Sequence, residues 1–195
     1  ENQDPPFEGS QILSNLFLGN VSDAMYPAAL IRHNIVGIIN MAGSQLRLIQ
    51  RMHAGMDMGQ WNDVRFETAW YRAHVHPEFQ YLEIDAEDHI KYKISTHFQE
   101  CHDFIQRVKG NVLVHCVQGL NRSVAVVVAH LVMSGQYTLE DAISAVSSKR
   151  KGKLLSNKSF LRQLIAEFDP PEVEPVERRK IIFQVGNVVE KNVDQ

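Results

Sequence analysis

Apolar and polar positions along the chain change period several times, and each change marks an element. Short runs dense in branched residues predict strands: ILSNLFLG (12–19), IVGIINMA (35–42), FQYLEID (79–85) and NVLVH (111–115). The first reads as a strand pair turning at Ser14 and Asn15. Between these runs the period lengthens. Asp23 is placed to cap a helix running to about His33. Ser95 is placed to cap another, with Phe98, Cys101, Ile105 and Val108 on one face and Gly110 at its end. Residues 123–134 are rich in valine, which favours strand by propensity, but their length and the closing Gly135 predict helix. Thr138 and Asp141 form a capping box ahead of a stripe of Leu139, Ala142, Ile143 and Val146. A last helix carries Phe160, Leu161, Leu164, Ile165 and Phe168. Strands alternating with helices predict an α/β domain around a largely buried sheet.

Residues 43–79 interrupt this order. LRLIQRM (46–52) has a helical pattern, but the stretch that follows is weakly periodic and is read as an insertion. Residues 1–10 are polar and read as a loose lead-in, 11–168 as one domain, and 169–195 as a Pro/Glu linker followed by an extension, KIIFQVGNVV. The lack of an initiator Met marks the chain as a piece of a longer protein.

Composition narrows the function classes. A net charge of −3 on 195 residues offers no global attraction for nucleic acid or a membrane surface. The longest apolar run, 124–133, is far short of the roughly 20 residues of a membrane-spanning helix. Only 2 cysteines exclude a disulfide framework and favour a reducing compartment, cytoplasmic or nuclear.

The chemistry concentrates in VHCVQGLNRS (114–123). A strand ending at Cys116 and a helix starting near Ser123 put the intervening loop at a helix N-terminus. Main-chain N–H groups there lack intrahelical partners, and the helix dipole favours an anion. Gly119 lets the loop turn, so Val117, Gln118, Gly119, Leu120 and Asn121 wrap one tetrahedral oxyanion. Arg122 grips two of its oxygens. The same field lowers a thiol pKa, by ~3 units or about 4 kcal/mol in favour of thiolate. A nucleophile is thus prepared where a phosphate is held. For the proton that a leaving ester oxygen requires, the loop IDAEDHIKYK offers Asp85, Glu87 and Asp88.

HCVQGLNRS resembles the HCxxGxxR[ST] signature of cysteine-dependent protein tyrosine phosphatases. SNLFLGNVSDAM, IVGIIN and SNKSFLRQL are similar to segments of the dual-specificity branch. The resemblance covers about residues 12–168, broken by 43–79, and implies a central, mostly parallel mixed sheet of about five strands flanked by helices. It implies that Cys116 forms a phosphocysteine, that Arg122 binds substrate and stabilises the transition state, and that Ser123 helps the sulfur leave. His115 tunes the thiol from behind. Asn157 supports the loop, although its Pro and Gly neighbours are replaced by Ser156 and Ser159. The pattern I-x-A-x-D falls on Ile84, Ala86 and Asp88, which selects Asp88 as the acid. The implied activity is hydrolysis of phosphotyrosine, with phosphoserine and phosphothreonine, on a phosphorylated protein, using no metal or other cofactor. The rival readings are a non-catalytic phosphoprotein-binding scaffold, a phosphoinositide phosphatase and an RNA 5′-phosphatase. The neutral Val117, Gln118, Leu120 and Asn121 lack the lysines common in phosphoinositide enzymes. Ser123-Val124 departs from the NRTG of RNA triphosphatases.

Other features read more plainly. KRKGK (149–153) with Lys158 reads as a solvated basic helix end or as an attractor of acidic substrate. His74 and His76 would share a strand face but lack a third metal ligand. Cys101 reads as core rather than as a redox partner of Cys116, and Trp61 and Trp70 as cover for the insertion. The C-terminal extension reads as an added strand or a partner-binding segment.

Overall fold

A computed structural model describes residues 7–168 of the chain. The linker and extension at 169–195 lie outside the described residues, as do residues 1–6. The strand runs become β1 (Ser10–Leu13), β2 (Leu16–Gly19), β3 (Ile35–Asn40), β4 (Gln80–Glu83) and β5 (Asn111–His115). They form a 5-stranded sheet in the order β1-β2-β5-β3-β4. β1 is antiparallel to β2 and every other pairing is parallel, so the expected mixed, mostly parallel sheet is observed. β5 lies at its centre, with Val112 to His115 all buried. That explains why NVLVH is a continuous apolar run rather than an alternating one.

The helices are α1 (Pro27–Arg32), α2 (Gly43–Met52), α3 (Gln60–Asp63), α4 (Thr68–His74), α5 (Phe98–Arg107), α6 (Arg122–Met133), α7 (Leu139–Lys149) and α8 (Lys158–Phe168). α6 is buried from Arg122 through Leu131 and packs on β5, α5, α7 and α8. A helix covered all round carries apolar residues all round, which is why its valines form no stripe and override their strand propensity. Thr138 accepts the Asp141 N–H at 3.1 Å and opens α7 as its sequence predicts.

Some local expectations are corrected. Asp23 does not cap α1. Its buried carboxylate accepts N–H groups from Glu8 (2.7 Å), Gly9 (3.0 Å) and Asn20 (2.8 Å), while α1 starts at Pro27, whose missing N–H costs nothing there. The lead-in is therefore engaged from Phe7, which stacks on His33 at 4.2 Å. Ser95 does not cap α5. It sits in a 3₁₀ turn, Ile94–His97, with its N–H on Gln163 Oε1 at 3.1 Å.

The stretch 43–79 folds as α2, α3 and α4 over the β4 edge. Tyr71 anchors it, stacking on Phe79 (4.8 Å) and Tyr81 (5.3 Å) and donating its hydroxyl to the Ala24 carbonyl at 3.0 Å. A cover made of short helices pinned by a few aromatic rings has little periodicity to read. His74 ends α4 and stacks on Trp70 at 4.6 Å, and His76 lies in the turn beyond, so the pair shares no strand face. No group of His, Cys, Asp or Glu among the described residues is arranged to hold a metal ion.

Candidate active site

β5 delivers Cys116 to one end of the sheet, and α6 begins at Arg122. The loop between them has its carbonyls tied outward. The Val117 carbonyl accepts from Val21 N–H (3.2 Å), that of Leu120 from Leu155 N–H (2.9 Å), and His115, at the strand end, from Met41 N–H (2.8 Å). The carbonyls of Gln118 and Gly119 accept from Nη2 and Nε of Arg150, each at 3.3 Å. With carbonyls engaged on the outside, the N–H groups are left for the concave side. Those of Val117, Gln118, Leu120 and Asn121 have no hydrogen-bond partner among the described residues. Such a run of free N–H groups at a helix start is a binding surface for an anion. Gly119 has φ +72, and a Cβ there would collide with the Gly19 carbonyl and the Arg150 guanidinium. Glycine is required for both reasons.

Cys116 is 2% exposed. Its Sγ accepts the Gly119 N–H at 3.2 Å and the Ser123 hydroxyl at 3.3 Å. Burial alone would raise its pKa. The Ser123 hydroxyl and N–H, the Arg122 charge and the Gly119 N–H outweigh burial, and the thiol lies below its ordinary value. His115, fully buried beside it, sits with Nδ1 3.3 Å from the Cys116 carbonyl. Burial first, and then the Arg122 charge, push its pKa down to about 4, so it is a neutral neighbour with its proton on Nδ1.

Arg122 is 3% exposed. Nη1 donates to the Ala86 carbonyl at 2.9 Å and Nη2 to Gln45 Oε1 at 2.8 Å. Its Nε has no partner among the described residues. A buried guanidinium held at both tips with an orphaned Nε–H is organised to receive oxygens.

The three carboxylates after β4 separate by what binds them. Asp85 and Glu83 are taken by Arg47, whose Nη2 lies 2.8 Å from both Asp85 oxygens. Glu87 is exposed. Asp88 is drawn to the loop: Asn121 Nδ2 donates to one oxygen at 3.0 Å and Asn157 Nδ2 to the other at 2.9 Å. Asn157 is itself fixed, its N–H on Asn121 Oδ1 at 3.2 Å and its Oδ1 accepting the Ser159 N–H at 3.1 Å. The Ser156 hydroxyl also reaches Asn121 Oδ1, at 3.1 Å. The serines at 156 and 159 thus both bond the Asn121–Asn157 pair.

Cys116, Arg122, Asp88, Ser123, Asn121, Asn157 and His115 are therefore brought together. Two further residues are missed by sequence reasoning. Gln45 lies in the stretch read as an insertion and no local pattern points to it. Arg150 lies in KRKGK, read as a solvated end, yet it is 8% exposed and also reaches the Glu8 carbonyl at 2.9 Å. That α7 ends at Lys149, so that Arg150 reaches the Gly119 carbonyl, was not readable from spacing. Cys101 is buried in the core with Sγ 3.9 Å from Met41 Sδ, and burial pushes its thiol pKa up, the reverse of Cys116.

The comparisons agree with this geometry. The family model "Dual specificity phosphatase, catalytic domain" matches residues 16–169. The chain is 29% identical over 160 residues to the rat protein "Dual specificity protein phosphatase 26", covering 80% of this chain and 65% of that one, so it spans just under two thirds of that relative's length. It is 30% identical over 159 residues to the mouse "Dual specificity protein phosphatase 13B", covering 80% of this chain and 70% of the relative. Among solved structures, a mouse putative dual specificity phosphatase complexed with zinc tungstate superimposes with TM-score 0.63 at 23% identity, over 86% of this chain and 91% of that one. The human tyrosine phosphatase-like serine/threonine/tyrosine-interacting protein does so with TM-score 0.60 at 25% identity, over 91% and 99%. By the family model and these likenesses together, this chain belongs to the dual specificity phosphatase catalytic domain family.

Proposed function

We propose that the chain is a protein phosphatase that hydrolyses phosphotyrosine, together with phosphoserine and phosphothreonine, through a phosphocysteine intermediate. The observation that carries this reading is Cys116 Sγ, deeply buried and yet held toward thiolate by the Gly119 N–H and the Ser123 hydroxyl.

The phosphate dianion enters the loop, its oxygens on the free N–H groups of Val117, Gln118, Leu120 and Asn121 and on Arg122. The thiolate attacks phosphorus, the S–P bond forms and the ester P–O bond breaks. Asp88 gives a proton to the leaving oxygen. In the second step Asp88 takes a proton from water, whose oxygen attacks phosphorus. The S–P bond breaks, the Ser123 hydroxyl stabilises the departing sulfur, and inorganic phosphate leaves. Arg122 supports both transition states, with charge stabilisation the larger contribution and positioned acid catalysis adding about 10²–10⁴-fold.

The thiolate requires a reduced Cys116, which fits an intracellular setting, cytoplasmic or nuclear. We take 11–168, with the packed lead-in from Phe7, as the catalytic unit, and propose that the Pro/Glu linker and C-terminal extension at 169–195 serve a protein partner.

The test compares p-nitrophenyl phosphate turnover by the wild type, Cys116→Ser and Asp88→Asn. Cys116→Ser should abolish turnover, and Asp88→Asn should lower kcat by about 10²-fold or more. Equal turnover in all three removes the enzyme. Parallel assays on phosphopeptides, phosphoinositides and 5′-triphosphate RNA should favour phosphopeptides.

A further inference from the structure

α2 forms one wall of a cleft of about 730 Å³ whose lining includes none of the residues used in catalysis. Its floor is half-buried and apolar, with Ile49, Met58 and Trp61. Its rim carries Arg51 and Arg65, both exposed. The Arg51 guanidinium has no ion-pair or hydrogen-bond partner among the described residues. Arg65 gives only Nη1, to the carbonyls of Asn62 (2.7 Å) and Val64 (2.9 Å), and so keeps its charge unneutralised. The one acidic residue on the lining, Asp57, accepts the Gly59 N–H at 3.0 Å.

The cleft is tied to the catalytic bowl through α2. Gln45, in its first turn, bonds Arg122, and Arg47 on the cleft wall holds Asp85 at the start of the acid loop. Arg51 follows Gln45 by six positions, about 9 Å along the helix axis. Arg51 also lies about a third of a turn around the helix from Gln45, and an extended peptide takes roughly three residues to cover the axial part alone.

Resting on the phosphatase reading, we propose that this cleft docks the segment flanking the phosphorylated residue of a protein substrate. It selects segments that place acidic side chains, next to an apolar one, about three residues from the phosphoresidue. Charge complementarity to Arg51 and Arg65 and continuity with the bowl assign this occupant. The apolar floor suits a peptide side chain better than the backbone of a nucleic acid.

The experiment measures kcat/KM for phosphopeptides carrying acidic, neutral or basic residues three positions to either side of the phosphoresidue. The enzymes are the wild type, Arg51→Glu/Arg65→Glu and Met58→Asp, with p-nitrophenyl phosphate as the substrate too small to reach the cleft. The wild type should prefer an acidic peptide on one side. The double variant should lose about 10-fold on that peptide, mostly in KM, and keep its p-nitrophenyl phosphate rate. High salt should erase the preference in the wild type. The inference is overturned if the wild type shows no charge preference, or if the variants lose p-nitrophenyl phosphate turnover in parallel. It is also overturned if the arginine dependence appears on 5′-triphosphate RNA instead of peptides. Failure of the wild type on p-nitrophenyl phosphate would instead count against the phosphatase reading itself.

Discussion

Replacing Arg150 by Met should damage both stability and phosphate binding, although Arg150 lies outside the bowl. Its guanidinium is 8% exposed and donates to the carbonyls of Glu8, Gln118 and Gly119. Its charge also offsets the buried Asp23 carboxylate, whose pKa is raised first of all by burial. Met fills similar volume but leaves the Gly119 carbonyl unpaired and Asp23 without its counter-charge. Hydrogen bonds to charged groups contribute about 1.5–3 kcal/mol each without adding fully, and breaking a buried charged pair costs about 3–5 kcal/mol. The expected loss is about 3 kcal/mol by urea unfolding at neutral pH. Released carbonyls at 118 and 119 are free to rotate inward, which removes N–H groups from the concave side, so vanadate inhibition should weaken as well. Arg150→Lys should recover part of the stability through Asp23 but little of the vanadate affinity, because a point charge does not span both carbonyls. A midpoint within about 1 kcal/mol of the wild type, with unchanged vanadate inhibition, would refute this account of how the loop is held.

Further outcomes follow from single contacts. Gln45→Met removes the acceptor that fixes Arg122 Nη2 and should lower kcat/KM for p-nitrophenyl phosphate by about 10-fold, with Gln45→Glu restoring the contact and part of the rate. Ser123→Ala removes the hydroxyl donor to Cys116 Sγ, so the thiol pKa rises and the acidic limb of the kcat/KM profile should move to higher pH. An unmoved limb would mean that another group sets it. His115 and His130, each pushed down to about 4 first by burial, are neutral when folded and protonate more readily when unfolded. Stability should therefore be fully present above about pH 6.5 and fall as pH drops toward 4, by about 2 kcal/mol per histidine at pH 5. His130→Leu should flatten part of that dependence in urea titrations, and an unchanged slope would count against it.

The sheet, the order of its elements and the nucleophile loop were legible along the chain because each is locally encoded. NVLVH is a buried strand by composition, Thr138 and Asp141 cap α7 by direct contact, and Cys116 to Ser123 make an anion-binding turn from contiguous residues. Asp23 and Ser95 misled for a related reason. Both have the chemistry of a cap, but the distant Glu8 and Gly9 N–H groups took the Asp23 carboxylate, and Ser95 falls inside a 3₁₀ turn with its N–H held by Gln163.

By itself, the amino-acid sequence determined the alternation of strands and helices, the thiol–guanidinium spacing and three candidate acids. The I-x-A-x-D pattern picked Asp88 among them, and only the tertiary structure showed what surrounds each. Arg47, on a helix from the stretch that showed little periodicity, claims Asp85, while Asn121 and Asn157 draw Asp88 to the loop. It alone turned Arg150 from a surface charge into the brace of the loop carbonyls and set Gln45 on Arg122. The physical reason is that side-chain periodicity records which face of an element is buried, whereas a hydrogen bond between residues far apart in the chain leaves no period to find.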